Sequence, residues 1–123
     1  MLHYKSIQEL QLHNPNTQYK TFWGHYLIGN DGSIFRIRLD RTLNAIQPQI
    51  SKKGYCTAKF RMWGQDRHIS INVHRIIAAL FLPQWDPELT VDHIDEDKTN
   101  NDISNLQMLT VGDNVRAYHQ RRK

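Results

Sequence analysis

Between residues 73 and 120 the chain switches repeatedly between helical and strand periodicity, and few architectures accommodate that order. Val73–Phe81 (VHRIIAALF) puts Val73, Ile76, Ile77 and Leu80 on one helical stripe, until Pro83 stops it. Leu89–Ile94 reads as a short strand, Asp92–Asp102 (DHIDEDKTNND) as a polar loop leaving it, and Leu106–Leu109 as a second strand. Thr110, with Asp113 three residues on, marks a capping box that opens a last helix from about Val111 to Gln120. The C-terminal third is expected to run strand, loop, strand, helix.

Upstream the pattern is that of strands. Residues 1–18 read as a short helix or irregular arm ending in the turn-rich His13-Asn14-Pro15-Asn16. Tyr26-Leu27-Ile28 and Ser33–Leu39 flank Gly29-Asn30-Asp31-Gly32, whose residues tolerate positive φ, so a hairpin is expected. Tyr55–Trp63 and Arg67–Val73 form a second pair around Gly64-Gln65-Asp66. Alternation predicts one apolar face carrying Ile69, Ile71 and Val73 and one basic face carrying Lys59 and Arg61. The fold class is α+β: an N-terminal antiparallel sheet over 1–72, then a connecting helix and a ββα unit over 73–123.

A loop with five carboxylates against one lysine is unexpected in a chain of formal charge +4. Such a loop is costly unless a cation sits in it, and its opening Asp92-His93 pair supplies a hard oxygen ligand beside a base. The sequence pI near 9.4 favours a polyanionic partner. Residues 1–88 hold eleven basic and six acidic side chains, and four of the five basic residues after them crowd into Arg116–Lys123, so positive charge flanks the acidic loop on both sides. Cys56 is the only cysteine, which excludes an internal disulfide and fits a reducing, cytoplasmic setting. The apolar run Ile76–Pro83 is far short of the ~20 residues of a membrane span, and the N-terminus lacks a signal-peptide core, so neither membrane insertion nor export is expected.

The expected ββα layout places Asp92-His93 on the first strand, Asn105 at the start of the second and Asn114 in the first turn of the helix. Asp92 and Asn114 then offer side-chain oxygens to one Mg²⁺-like ion. Successive strand residues point to opposite sides, so His93 needs local twist or a bulge to aim at the same pocket.

The stretch VDHIDEDKTNNDISNLQMLTVGDN resembles the HNH, or His-Me finger, nuclease motif, most closely the version in phage and intron-encoded homing endonucleases: DHID, a polar KTNN loop, SNL and a final Asn. The upstream VHRIIAALF, GYCTAKF and HISI segments are similar to those preceding the motif in such proteins, so the resemblance covers roughly residues 20–118. It implies a metal-dependent endonuclease of duplex DNA with His93 as general base, Asp92 and Asn114 as ligands of one Mg²⁺ or Mn²⁺ ion, and Asn105 bracing the loop that holds His93. It also implies 5′-phosphate and 3′-hydroxyl ends. Glu96 stands where the family often has glycine, and Met108-Leu109 replace a common aromatic pairing. The larger homing enzymes carry a C-terminal helix-turn-helix, whereas this sequence stops about nine residues after Asn114, so long-site specificity is not expected. A nicking monomer is expected; the alternative is a catalytically silent DNA-binding module.

Ordinary roles compete for the remaining residues. Asp95, Glu96, Asp97 and Asp102 suit a solvated loop, and an EF-hand register from Asp95 fails because Asn100 and Leu106 stand where Gly and Glu belong. His74 reads as a core or capping histidine, or else as a support for the active-site strand. His3, His13, His25, His68 and His119 read as surface residues, and Trp23, Trp63 and Trp85 as packing. Lys52, Lys53, Lys59, Arg61, Arg67, Arg116, Arg121, Arg122 and Lys123 are expected to contact the DNA backbone.

Overall fold

A computed structural model describes residues 3–62 and 64–121. The described chain is mixed α/β, with three antiparallel sheets and three helices. The elements run β1 (His3–Tyr4), α1 (Ile7–His13), β2 (Tyr19–Phe22), β3 (Tyr26–Gly29), β4 (Ile34–Ile37), β5 (Leu43–Ala45), β6 (Gln49–Ile50), β7 (Cys56–Phe60), β8 (Ile69–Asn72), α2 (Val73–Phe81), β9 (Thr90–His93), a 3-10 turn (Ile103–Asn105), β10 (Leu106–Leu109) and α3 (Val111–Arg121).

The first hairpin forms where its turn residues require it. Gly29 N–H donates to the Ser33 carbonyl (2.8 Å), Asp31 Oδ1 accepts from Ser33 N–H (3.0 Å), and Gly32 takes φ +91°, a conformation that costs glycine little. β3 and β4 are interior strands of a five-stranded sheet of order β1-β5-β4-β3-β2. The arm before it is ordered. Ser6 Oγ accepts from Glu9 N–H (3.1 Å) and Glu9 reaches back to Lys5 N–H (2.7 Å), a capping arrangement that starts α1 and sinks Leu10 into a small core with Leu27, Phe35 and Leu43.

β6-β7-β8 form the second sheet. Cys56, Ala58 and Phe60 alternate inward as expected, but the outward face of the β7–β8 pair carries Thr57, Lys59, Ser70 and Asn72, so it is polar with one lysine rather than basic. Ile69 and Ile71 share the inner face, yet Ile69 lies at its end and is 48% exposed, and Val73 already belongs to α2.

α2 keeps its expected bounds: Leu82, before Pro83, turns to extended φ and ψ, and its N–H closes the helix on the Ala78 carbonyl (2.9 Å). Lys20 Nζ donates to the Leu80 carbonyl (2.6 Å), placing a cation at the negative end of α2 and tying the first sheet to it. The larger core joins Tyr26, Ile28 and Ile34 to Phe60, Ile77, Val91 and Leu106, and so draws on residues from both sides of the 72/73 position. Trp23 and Trp85 pack against this core, as expected, while Trp63 lies outside the described residues. Among the described residues no helix is long and apolar enough to cross a membrane.

Candidate active site

β9 and β10 pair antiparallel without a bulge, matching His93 with Leu106, Asp92 with Gln107 and Val91 with Met108. Asp92 and His93 are both buried, and strict alternation turns them to opposite faces of the pair. His93 is the last residue of β9, where the chain leaves for the acidic loop. No bulge forms within the strand to bring both side chains into one pocket.

On one face, Asp92 Oδ2 accepts from Gln107 Nε2 (2.8 Å), a neutral donor that orients the carboxylate. α3 packs on both strands. It is capped at Thr110 as expected, Asp113 N–H donating to Thr110 Oγ1 (3.1 Å), while the return bond of a capping box gives way to the Asp113–Arg116 pair, and half-buried Asn114 lies in its first turn. A buried carboxylate and an amide near a helix start are oxygen donors of the kind that hard divalent cations take. No group of three or more His, Cys, Asp and Glu residues fit to hold a metal occurs among the described residues. Any ion held by Asp92 and Asn114 would therefore need other ligands to complete its shell.

On the opposite face His93 packs in a ring cluster, 4.9 Å from His74 and 6.1 Å from Tyr55, with Tyr55 stacked on His74 at 5.0 Å and Lys98 Nζ 4.6 Å from the Tyr55 ring centre. His93 Nε2 lies 2.8 Å from Asn101 Oδ1. His74 is a core histidine but not a satisfied one: its Nδ1 is buried without a hydrogen-bond partner among the described residues. Burial, then the neighbouring His93 and Arg75, hold the His74 pKa down to about 4.

An unfolded imidazole titrates near ~6.5, so below that value the unfolded chain takes up a proton that the folded chain refuses. The stability is complete above the unfolded value and is lost as pH falls toward about 4. The unfolding free energy of the wild type, from urea titrations, is expected to drop more steeply than that of His74→Phe over this window, by at most about 3.4 kcal/mol, the equivalent of a fall from ~6.5 to about 4. Parallel pH curves for the two proteins would contradict it.

The acidic loop is built by its own carboxylates. Asp95 accepts from Asp97 N–H (2.8 Å), Asn100 Nδ2 (2.9 Å) and Asn105 Nδ2 (2.8 Å); Asp97 accepts from Thr99 N–H (2.9 Å) and hydroxyl (2.6 Å); Asp102 accepts from Ser104 N–H (3.0 Å) and hydroxyl (2.8 Å). These bonds, led by that from Asn100 for Asp95 and from the Thr99 hydroxyl for Asp97, hold both carboxyls below their usual range. The loop's charge is therefore stabilised by local donors, and only Asp92 among these acids is buried. Asn105 sits at the end of the 3-10 turn, where it also donates to the Asn100 carbonyl (2.9 Å) and accepts from Asp95 N–H (3.0 Å), tying the loop's two ends together. Glu96 takes φ +64°, a left-handed conformation that glycine would adopt at less cost.

The basic residues are dispersed. Lys52 and Lys53 are exposed in the β6–β7 turn, which Lys98 ties to the acidic loop through the Lys53 carbonyl (2.8 Å). Lys59 is exposed on β7, and Arg67 is exposed in the loop before β8. Arg61 follows β7, its N–H donating to Tyr26 Oη (2.9 Å) and its carbonyl taking His25 Nε2. His25 is therefore buried rather than on the surface, its other ring nitrogen meeting the Trp23 carbonyl (2.8 Å). Arg61 shares an open cleft of about 660 Å³ with Arg36, Arg38 and one acid, Asp40; no sequence signal singles out Arg36 or Arg38. Arg116 pairs with Asp113 one turn earlier on α3. The side chain of Arg121 and all of Arg122 and Lys123 lie outside the described residues.

Residues 72–116, from the last residue of β8 into α3, match the family described as HNH endonuclease. This stretch belongs to the HNH endonuclease family. The DNA endonuclease I-HmuI of Bacillus phage SP01 is 34% identical over 96 residues, 78% of this chain and 52% of that protein. The H-N-H endonuclease F-TflII of Escherichia phage T5 is 32% identical over 90 residues, 72% of this chain and 44% of that protein. A solved structure described as DNA binding and cleavage by the HNH homing endonuclease I-HmuI superposes with a TM-score of 0.74 at 30% identity, covering 85% of this chain and 59% of that one. The chain spans about half the length of these curated relatives. The likeness extends well beyond the HNH stretch, into the sheets that precede it.

Proposed function

We propose that the chain is a DNA endonuclease that hydrolyses phosphodiester bonds of duplex DNA with one divalent ion, Mg²⁺ or Mn²⁺, and that it acts as a nicking monomer. The reading rests above all on the buried Asp92-His93 pair at the end of β9, inside the HNH match. Burying a carboxylate beside an imidazole is costly, and a module that only binds DNA needs neither group there. His93 takes the proton of the attacking water. Asp92 and Asn114 would hold the ion, which when bound stabilises charge on the phosphate and on the departing 3′ oxygen. A carboxylate and a neutral amide make a weakly charged donor pair, so binding is exchangeable and completed by water and DNA. Gln107 keeps Asp92 aimed, and Asn105 holds the loop against β9. Because His93 ends its strand, a phosphate lying across that end meets both faces of the pair.

Residues 1–72 serve as the DNA-contacting region and 73–123 as the chemical unit. Lys52, Lys53, Lys59, Arg61 and Arg67, joined by Arg36 and Arg38 of the cleft, meet the phosphate backbone, with Arg116, Arg121 and Arg122 on the other flank. Reversing charge at Lys59 and Arg61, or at Arg36 and Arg38, is expected to weaken binding across sequences alike and to flatten the salt dependence by about one unit for each phosphate no longer neutralised. An unchanged salt slope would return these residues to ordinary solubility charge.

One chain carries one such site, and each site attacks one strand. Supercoiled plasmid incubated with protein and Mg²⁺ should therefore become open circles well before linear DNA appears. Direct conversion to linear product, at a rate rising with the square of protein concentration, would imply a dimer on a two-fold site. Plasmid that is retarded in a gel but never relaxed would leave a silent DNA-binding module.

A further inference from the structure

The proposed chemistry requires His93 to present one bare ring nitrogen in a fixed direction. Asn105, the middle residue of the motif, does not supply that restraint: its side chain is taken up by Asp95 and the Asn100 carbonyl. The ring is met instead by Asn101, whose Oδ1 lies 2.8 Å from His93 Nε2. An amide oxygen only accepts, so this contact is a hydrogen bond only with a proton on Nε2, the neutral tautomer whose lone pair is on Nδ1.

Asn101 is itself only 6% exposed and is held from several sides. The Cys56 thiol of β7 lies against its side chain. The β3–β4 turn presses on its backbone: a Cβ at Gly32 would stand 3.2 Å from Asn101 Cβ and 3.3 Å from its carbonyl oxygen, closer than most such contacts allow. Two residues on, Ile103 N–H donates to the Asn30 carbonyl of the same turn (2.8 Å). The N-terminal sheet thus reaches the loop of the HNH stretch at the residue that touches His93. A side chain serving only to shape the loop would direct its oxygen to loop backbone, as Asp95, Asp97 and Asp102 do.

We propose that Asn101 is a positioning residue that fixes the orientation and tautomer of His93, and that the β3–β4 turn holds Asn101 in place for that task. The consequence for rate rests on the nuclease reading; the consequence for the ring does not. Full-length protein labelled with ¹⁵N-histidine, studied at a pH above the imidazole range with His93 assigned by its loss in His93→Ala, should show the proton on Nε2 and protected from solvent exchange. In Asn101→Ala that protection should be lost, and single-turnover cleavage should slow by about 10- to 100-fold with DNA affinity unchanged. Asn101→Asp, which keeps an accepting oxygen, should retain the protected proton and recover most of the rate.

A wild-type spectrum with the proton on Nδ1, or with a freely exchanging Nε2–H, overturns the proposal without any variant. So does an Asn101→Ala protein that keeps the protected proton, whatever its rate. Absence of cleavage by the wild type would instead overturn the nuclease reading, and the ring spectrum would still decide the role of Asn101.

Discussion

Replacing His93 by alanine is expected to lower single-turnover cleavage by at least about 10²-fold while DNA affinity changes little. A general base acts in the transition state, so its loss appears in the chemical step and not in ground-state binding. The imidazole is buried at the end of β9 between the His74 and Tyr55 rings and the Asn101 amide, and its removal leaves the basic surface untouched. A loss of affinity as large as the loss of rate would mean that His93 holds the fold and not the chemistry.

Asp92→Ala and Asn114→Ala are each expected to abolish cleavage. With only two side chains to anchor the ion, loss of either leaves too few oxygen ligands for a cation that also keeps water and phosphate. Asn114→Asp should be rescued by raised Mn²⁺ better than either alanine variant, because it restores an oxygen donor at the start of α3. Asn105→Ala should fall between, since it acts through the position of the loop. Cleavage by the wild type that persists in excess chelator would remove the metal from the account.

The parts of the fold that were legible in the sequence are those written in local chemistry. Gly29-Asn30-Asp31-Gly32 specifies its hairpin, Pro83 ends α2, Thr110 and Asp113 start α3, and apolar alternation marks β7 and β10. The two- and three-residue strands were not legible, because pairing His3 with Asn44 is decided forty-one residues apart and leaves no periodic trace. The ordered start of the chain could have been found: Ser6 and Glu9 have the spacing of a capping box.

The site was legible where a motif names its residues and obscure where register or backbone chooses the partner. Gln107 meets Asp92 only because β9 and β10 pair in one particular register. Asn101 is the second of two adjacent asparagines, and nothing local separates it from Asn100. His25 is buried by two backbone carbonyls, which carry no sequence signature. The acidic loop was legible in outline only. Asp95, Asp97 and Asp102 suit a solvated loop, but that their carboxylates accept hydrogen bonds from the loop's own residues leaves no trace in the charge count.

The central claim is that this chain cuts DNA with the Asp92-His93 strand, and the most direct measurement is a plasmid time course with wild type and His93→Ala purified by the same route. The wild type should relax supercoiled DNA in Mg²⁺ and stop when the ion is chelated, while His93→Ala binds the plasmid equally well and leaves it supercoiled. Equal relaxation by both preparations, or binding by the wild type with no relaxation in either Mg²⁺ or Mn²⁺, would contradict the account.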